Sequence, residues 1–236
     1  YEINSEGEGK LILEAEENHI LCIKRDTNGD LFAGSGGKGL LYRISKANKA
    51  SILFESPYEE IKSIALDKEG NIYAAASGAV IKPKKEETPV SLKPETAITV
   101  TVSPATTETK EVPSLVRKQP SALYKIDKEG MAKRLWHSNE ELIYSLLWNE
   151  REERLIFGTG DKGRIYSVDK DEKTSLAVQK KSELIYLLLP YDSATYFLAN
   201  NPSDLSIFYP DQRFSGEYLS RVMDTRTISS WGRIEW

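Results

Sequence analysis

Residues 154–169, RLIFGTGDKGRIYSVD, read as two short apolar strands joined by a glycine-rich turn. The same pattern stands earlier, at 30–45, as DLFAGSGGKGLLYRIS. Two copies make repetition the first property to follow, because a fixed period decides the fold before any single motif does. An aromatic residue recurs at one place in a short apolar strand. It is Tyr1, Tyr42, Tyr124, Tyr166 and Phe208, so the spacings run 41, 82, 42 and 42. The odd spacing is one period plus an insertion of nearly equal length. A second series lies upstream of the first: ILCIKRDTNGDLFAGS, IKSIALDKEGNIYAAAS, LIYSLLWNEREERLIFGTG and LIYLLLPYDSATYFLAN. Gly29 and Gly70 share a turn position in it, one period apart.

A period of about 40–45 residues suits either a propeller blade of four antiparallel strands or a helical HEAT or armadillo repeat. The segments here have the length of strands, roughly 5–8 residues. They are rich in Ile, Val, Leu, Tyr and Phe. They are bounded by NGD, EG, GSGG or GTGD, which is strand punctuation and not a helical stripe. The expected fold is an all-β propeller of four-stranded antiparallel blades, about four to five of them in this chain.

Taken in order, residues 1–15 read as two outer strands, YEI and KLILEAE. The first blade runs from His19 to about Phe54, and the second begins at Ile61. Propeller sequence thus fills 1–80 and resumes over 121–215. Between them, 81–120 holds 6 of the 10 prolines, many Thr, Lys and Glu, and no aromatic residue. Such a segment buries too little apolar surface to offset its ordering entropy, so a mobile insertion is expected, with AITVTVSP (97–104) as a short hairpin arm. The stretch 216–236 reads as two strands off the repeat's register. It closes a five-bladed ring together with 1–15, or it begins a separate β domain after blades that belong to a larger ring. The chain opens partway through a repeat, which suggests a piece of a longer protein.

The chain has 236 residues, ample for one all-β domain, and a net charge of −4, which gives no electrostatic reason to expect nucleic acid. No apolar run approaches the length that a membrane-spanning helix needs, so none is expected. The single cysteine, Cys22, lies inside ILCI and reads as a buried structural thiol.

The stretches FAGSGGKGLLYRI and IFGTGDKGRIYSVD resemble bacterial β-propeller repeats of the two-component-regulator and WD-like kind. The resemblance covers about residues 1–211 outside the insertion; the WD dipeptide itself is absent. The stretch GEYLSRVMDTRTISSWGRIEW (216–236) is similar to a segment that follows propellers in large secreted bacterial proteins and leads into a β-sandwich. The resemblance implies an extracellular or periplasmic location and leaves activity open.

GSGGKG (34–39) and GTGDKG (158–163) both satisfy the G-x-G-x-x-G pattern, but a strand follows each one, where a dinucleotide site needs a helix N-terminus. They read as tight hairpins. DTNGD (26–30) resembles the start of a calcium loop without its distal Glu, and its equivalent DKEGN (67–71) is a hairpin turn. His19 and His137 lack ligand spacing. The acidic pairs Glu59-Glu60, Glu140-Glu141 and Asp169/Asp171 read as solvated loop charges. No cofactor or metal site is expected.

Strand alternation places the loops at 34–39, 56–60, 138–141, 158–163, 180–183 and 200–203 on one face, with the insertion springing from it. On this face the candidate binding residues are Gly34, Gly36, Lys38, Tyr58, Gly158, Asp161, Lys162, Asn200 and Asn201, and the insertion is a tether or lid over them. The expected ligand is a protein or a carbohydrate. The opposite face carries short turns. The sequence is therefore read as a non-catalytic binding or sensing module of a larger bacterial protein, monomeric unless other segments complete the ring. Two alternatives stand beside it: a propeller-type hydrolase or lyase (a lactonase or a glycan-active enzyme), and the extracellular sensor domain of a signalling receptor.

Overall fold

A computed structural model describes residues 1–81, 119–192 and 194–209. These residues form seventeen strands and no helix. The insertion's hairpin arm and the stretch 216–236 lie outside them.

A small hairpin, β1 (Glu2–Ile3) and β2 (Gly9–Lys10), precedes the repeats. The first repeat unit is β3 (His19–Arg25), β4 (Leu31–Gly36), β5 (Leu40–Ile44) and β6 (Ala50–Glu55). The second is β7 (Tyr58–Leu66), β8 (Ile72–Val80), β9 (Ser121–Ile126) and β10 (Ala132–Ser138). The third is β11 (Ile143–Asn149), β12 (Arg154–Thr159), β13 (Arg164–Val168) and β14 (Thr174–Gln179). The fourth shows β15 (Leu184–Tyr191), β16 (Ala194–Asn200) and β17 (Asp204–Phe208). Each unit is an antiparallel meander. The recurring aromatics Tyr42, Tyr124, Tyr166 and Phe208 all stand in a unit's third strand.

The insertion does not disturb its unit. β8 and β9 pair continuously from Ile72↔Ile126 to Ser77↔Ser121, so the chain leaves after one strand and returns as its direct neighbour.

The first strands share a bulge. The register slips at Leu21, Lys62, Tyr144 and Tyr186, an equivalent position in each. A bulge bends its strand and raises its twist. These four strands lie beside one another in sequence order, β3 by β7, β7 by β11 and β11 by β15. They are therefore the inner strands of a curved array, and the fourth strands lie outermost.

The apolar core sits between units. One cluster joins Phe32 and Leu41 to Ile61, Ile64, Ala74 and Ala76. The next joins Tyr73, Ala75 and Leu123 to Ile143, Leu155 and Phe157. A third joins Ile156 and Ile165 to Ile185, Leu188 and Phe197. In β8 successive residues serve opposite clusters, as the alternating period of a strand requires. A unit cannot bury its faces alone, which is why the period persists through the chain.

Residues 10–16 differ from expectation. The second outer strand pairs only at Gly9–Lys10. Beyond it Leu13 and Ala15 pack by side chain on Ala33, Leu40, Tyr42 and Ile44. Contact with the flank of unit one substitutes for a ladder there.

Candidate functional site

Two faces of the array carry its loops. On the first, the 34–39 turn is bound to the next unit: Gly37 N donates to Glu59 O at 2.8 Å and Ser56 N to Gly39 O at 2.9 Å. The 158–163 turn repeats this, with Gly163 N donating to Glu183 O and Lys180 N to Gly163 O, both at 2.9 Å. Gly39 and Gly163 have φ of +59° and +54°, and a Cβ on either would overlap a carbonyl oxygen, that of Tyr58 or of Ser182. Only glycine permits this approach.

A second device recurs on the same face. Lys38 pairs with Glu16 at 3.0 Å and Lys162 with Glu140 at 2.7 Å, each across 22 residues of sequence. The Tyr42 hydroxyl donates to Glu17, and the Tyr166 hydroxyl donates to Glu141, each across 25 residues. The side chains of Glu17 and Glu141 are only 1% and 5% exposed. Glu141 also accepts from Thr159 Oγ1 at 3.0 Å and from Arg164 at 2.7 Å. The reading of Glu140-Glu141 as solvated charges is thus wrong for Glu141. A carboxylate can be buried where charged and hydroxyl donors fill its lone pairs. The signal was present as two copies of E-E with Lys and Tyr at fixed distances.

The nine expected residues fall into two groups on this face. Gly34, Gly36, Lys38 and Tyr58 surround the junction of units one and two. Gly158, Asp161, Lys162, Asn200 and Asn201 surround that of three and four. Gly34 and Gly158 are contact points for the next inner strand: a Cβ on Gly34 would stand 2.7 Å from Ile61 Cγ2. Tyr58 is buried in the apolar cluster. Asp161 is exposed at φ +69°. Asn200 O accepts from Glu183 N at 3.2 Å, and Asn201 Nδ2 donates to Glu183 Oε2 at 3.3 Å.

The opposite face is built from aspartate-capped turns. Asp26 Oδ1 accepts from the amides of Asn28 (3.0 Å) and Asp30 (2.8 Å). Asp67 accepts from Asn71 N at 2.8 Å, Asp127 from Met131 N at 2.8 Å and Asp169 from Lys173 N at 2.9 Å. DTNGD is therefore a side-chain-capped hairpin of the kind Asp favours. Among the described residues no group of three His, Cys, Asp or Glu side chains is placed to hold a metal ion. His19 and His137 are exposed on β3 and β10.

Two concave spaces open on this face. A cleft of about 500 Å³ lies between units one and two, floored by Phe32, Leu53, Leu66 and Ile72. A smaller one of about 190 Å³ lies between units two and three, walled by Tyr73 and Trp148, whose rings stack at 5.5 Å. Burial, with Asp67 beside it, pushes the Tyr73 phenol far above its usual range. Cys22 is not in either cleft; burial pushes its thiol up to about 11, and its Sγ lies 3.4 Å from Ile61 O.

No family model matches the chain, and a search of curated proteins gives no match. Solved structures do. Virginiamycin B lyase from Staphylococcus aureus matches over 89% of this chain and 62% of its own, at 11% identity and a TM-score of 0.58. The chain thus spans less than two thirds of that enzyme's length. A protein in a nidogen/laminin complex matches over 87% of this chain and 69% of its own, at 12% identity and a TM-score of 0.55. The extracellular domain of a hybrid two-component system from B. thetaiotaomicron matches over 82% of this chain and 22% of its own, at 14% identity and a TM-score of 0.53. Identities this low carry the fold alone. The fold is an all-β propeller built from antiparallel meanders.

Proposed function

We propose that this chain is a non-catalytic binding or sensing module of a larger bacterial protein, with repeats nearest the two-component-regulator and WD-like kind. Its ligand, a protein or a carbohydrate, is received on the face of the 34–39, 56–60, 138–141, 158–163, 180–183 and 200–203 loops. The carrying observation is where the insertion is rooted. Ile81 N donates to Pro57 O at 2.8 Å, and Gly78 N to Pro120 O at 3.3 Å, so both ends of the inserted segment are tied to this face. On the same face the Lys–Glu pairs tie the 34–39 turn to Glu16 and the 158–163 turn to Glu140. Binding loops on a rigid scaffold lose little entropy on association.

Leu198 distinguishes unit four from the other units. Gly34, Ala75, Gly158 and Leu198 occupy one register position, paired to Cys22, Ser63, Ser145 and Leu187. The first three are small, and Gly34 and Gly158 let the next inner strand close in. Leucine at the fourth position sets the flank of unit four apart from the other three.

An oligosaccharide array, followed by calorimetry on any hit and a product assay on oligosaccharides and lactones, tests the reading. Binding without turnover is expected. Turnover would replace it with the hydrolase or lyase alternative. A sensor ectodomain shares the binding outcome and requires a membrane segment in the full-length protein.

A further inference from the structure

Each internal junction buries one residue of a third strand against the next inner strand. Leu41, Leu123 and Ile165 hold that place, paired to Gly34, Ala75 and Gly158, and all three are 0% exposed. They belong to the clusters or junctions that contain Ile61, Ile143 and Ile185. Leu205 is their counterpart in unit four, paired to Leu198, and it is 63% exposed. Leu189, Tyr191 and Ile207 are exposed on the same side of the sheet. A hollow of about 400 Å³ opens there, and among the described residues its lining carries no charged side chain.

A second copy cannot fill this hollow in the way one unit covers another. Unit one would bring Ile20, which precedes the bulge as Ile61 and Ile185 do, onto Leu198. A single Cβ at the equivalent Gly158 would already stand 2.5 Å from Ile185 Cγ2. The other end of the array shows a different kind of cover, with Leu13 and Ala15 lying on unit one by side-chain packing. Chain of suitable composition follows β17 directly. Residues 220–236 hold Val222, Met223, Ile228, Trp231, Ile234 and Trp236, whereas the insertion has no aromatic residue and is rooted on unit two. β17 is itself part of the open flank, and two strand spacings, roughly 10 Å, reach from it to β15. About three extended residues span that distance. We infer that residues 220–236 form an apolar strap over the open flank of unit four. The strap packs by side chains on Leu205, Ile207, Leu189 and Tyr191, and it caps this end of the array as 11–16 caps unit one.

The substitution Leu205→p-benzoylphenylalanine, a photoprobe placed in the whole chain, tests the contact. Irradiation should cross-link it to 220–236 of the same molecule, read by mass spectrometry. The same probe at Leu176, exposed on the outermost strand of unit three, should not cross-link there. A cross-link to another copy, none to 220–236, or equal yield from the two sites overturns the inference. The strap opens without the units, so Leu205→Asp should leave the melt of the units unchanged. It should also speed trypsin cleavage after Arg226 and Arg233 at least about tenfold, since cleavage follows the population of the open form. Leu205→Ile and Leu176→Asp should leave that rate at the parent's. Cleavage indifferent to Leu205→Asp overturns the inference as well.

Discussion

Gly158 lies so close to Ile185 that a Cβ added to it would stand 2.5 Å from Ile185 Cγ2 and 2.9 Å from its Cβ. The glycine is in the second strand of unit three, and the isoleucine is in the inner strand of unit four. The same relation joins Gly34 to Ile61. Gly158→Val must push two units apart, and should cost about 1–3 kcal/mol, the usual range for overpacking a core. Leu198→Ala, at the same register on the flank of unit four, should cost under about 1 kcal/mol because Leu198 is more than a third exposed. Urea unfolding of both variants checks the contrast, and equal effects would show that the glycines do not set the approach of the units.

Glu141 gives a second contrast. Glu141→Ala strands Arg164 and the Thr159 hydroxyl in a buried corner, and should cost about 3 kcal/mol. Lys162→Ala removes only the outer, more exposed pair and should leave stability close to that of the parent. Similar losses for the two would mean that the corner is solvated after all.

Much of the fold was legible because its period is carried by residues that face a neighbouring unit, such as Tyr42, Tyr166 and Ile185. The meander order and the turn positions follow from glycine and aspartate placement, seen at Asp26–Gly29 and Asp67–Gly70. Three things were not legible. Glu141 looked like any loop carboxylate, because its burial depends on Arg164 and Tyr166 folding back over it from 23 and 25 residues away. Residues 11–16 alternate like a strand, yet Leu13 and Ala15 are used for side-chain packing. The two clefts lie on the face whose turns looked too short to matter. A cleft between units is made by splay of adjacent sheets, which no local pattern records.

Alkaline stability should report on the tyrosines. Burial first, then Glu17, pushes the Tyr42 phenol up to about 12, and burial raises Tyr73, Tyr124 and Tyr166 as well. A phenol with a raised native pKa stabilises the fold fully below its ordinary value of about 10 and loses that contribution as pH climbs through the native value. Melting temperature should therefore be flat from pH 7 to 9 and fall from about pH 10 upward. Tyr42→Phe should start lower, having lost its hydrogen bond to Glu17, and fall less steeply over the same range. An unchanged slope would contradict the assignment.

Cys22 should resist alkylation. Its thiol is pushed up to about 11, so the thiolate is scarce at pH 8, and Ile61 of the next inner strand covers the sulfur. Iodoacetamide at pH 8 should modify the native protein far more slowly than the urea-unfolded chain. Equal rates would mean that β3 and β7 separate readily in the native state.

The central claim is that the propeller is a rigid platform whose binding face carries the inserted segment without depending on it. The direct measurement is a thermal melt and an oligosaccharide-array comparison of the parent and a variant lacking residues 84–118. β8 and β9 pair without a break from Ile72↔Ile126 to Ser77↔Ser121, so the variant should melt in one transition within a few degrees of the parent. Its binding on the loop face should change. Loss of the cooperative melt would make the insertion part of the fold, and unaltered binding with an unaltered melt would place recognition elsewhere on the molecule.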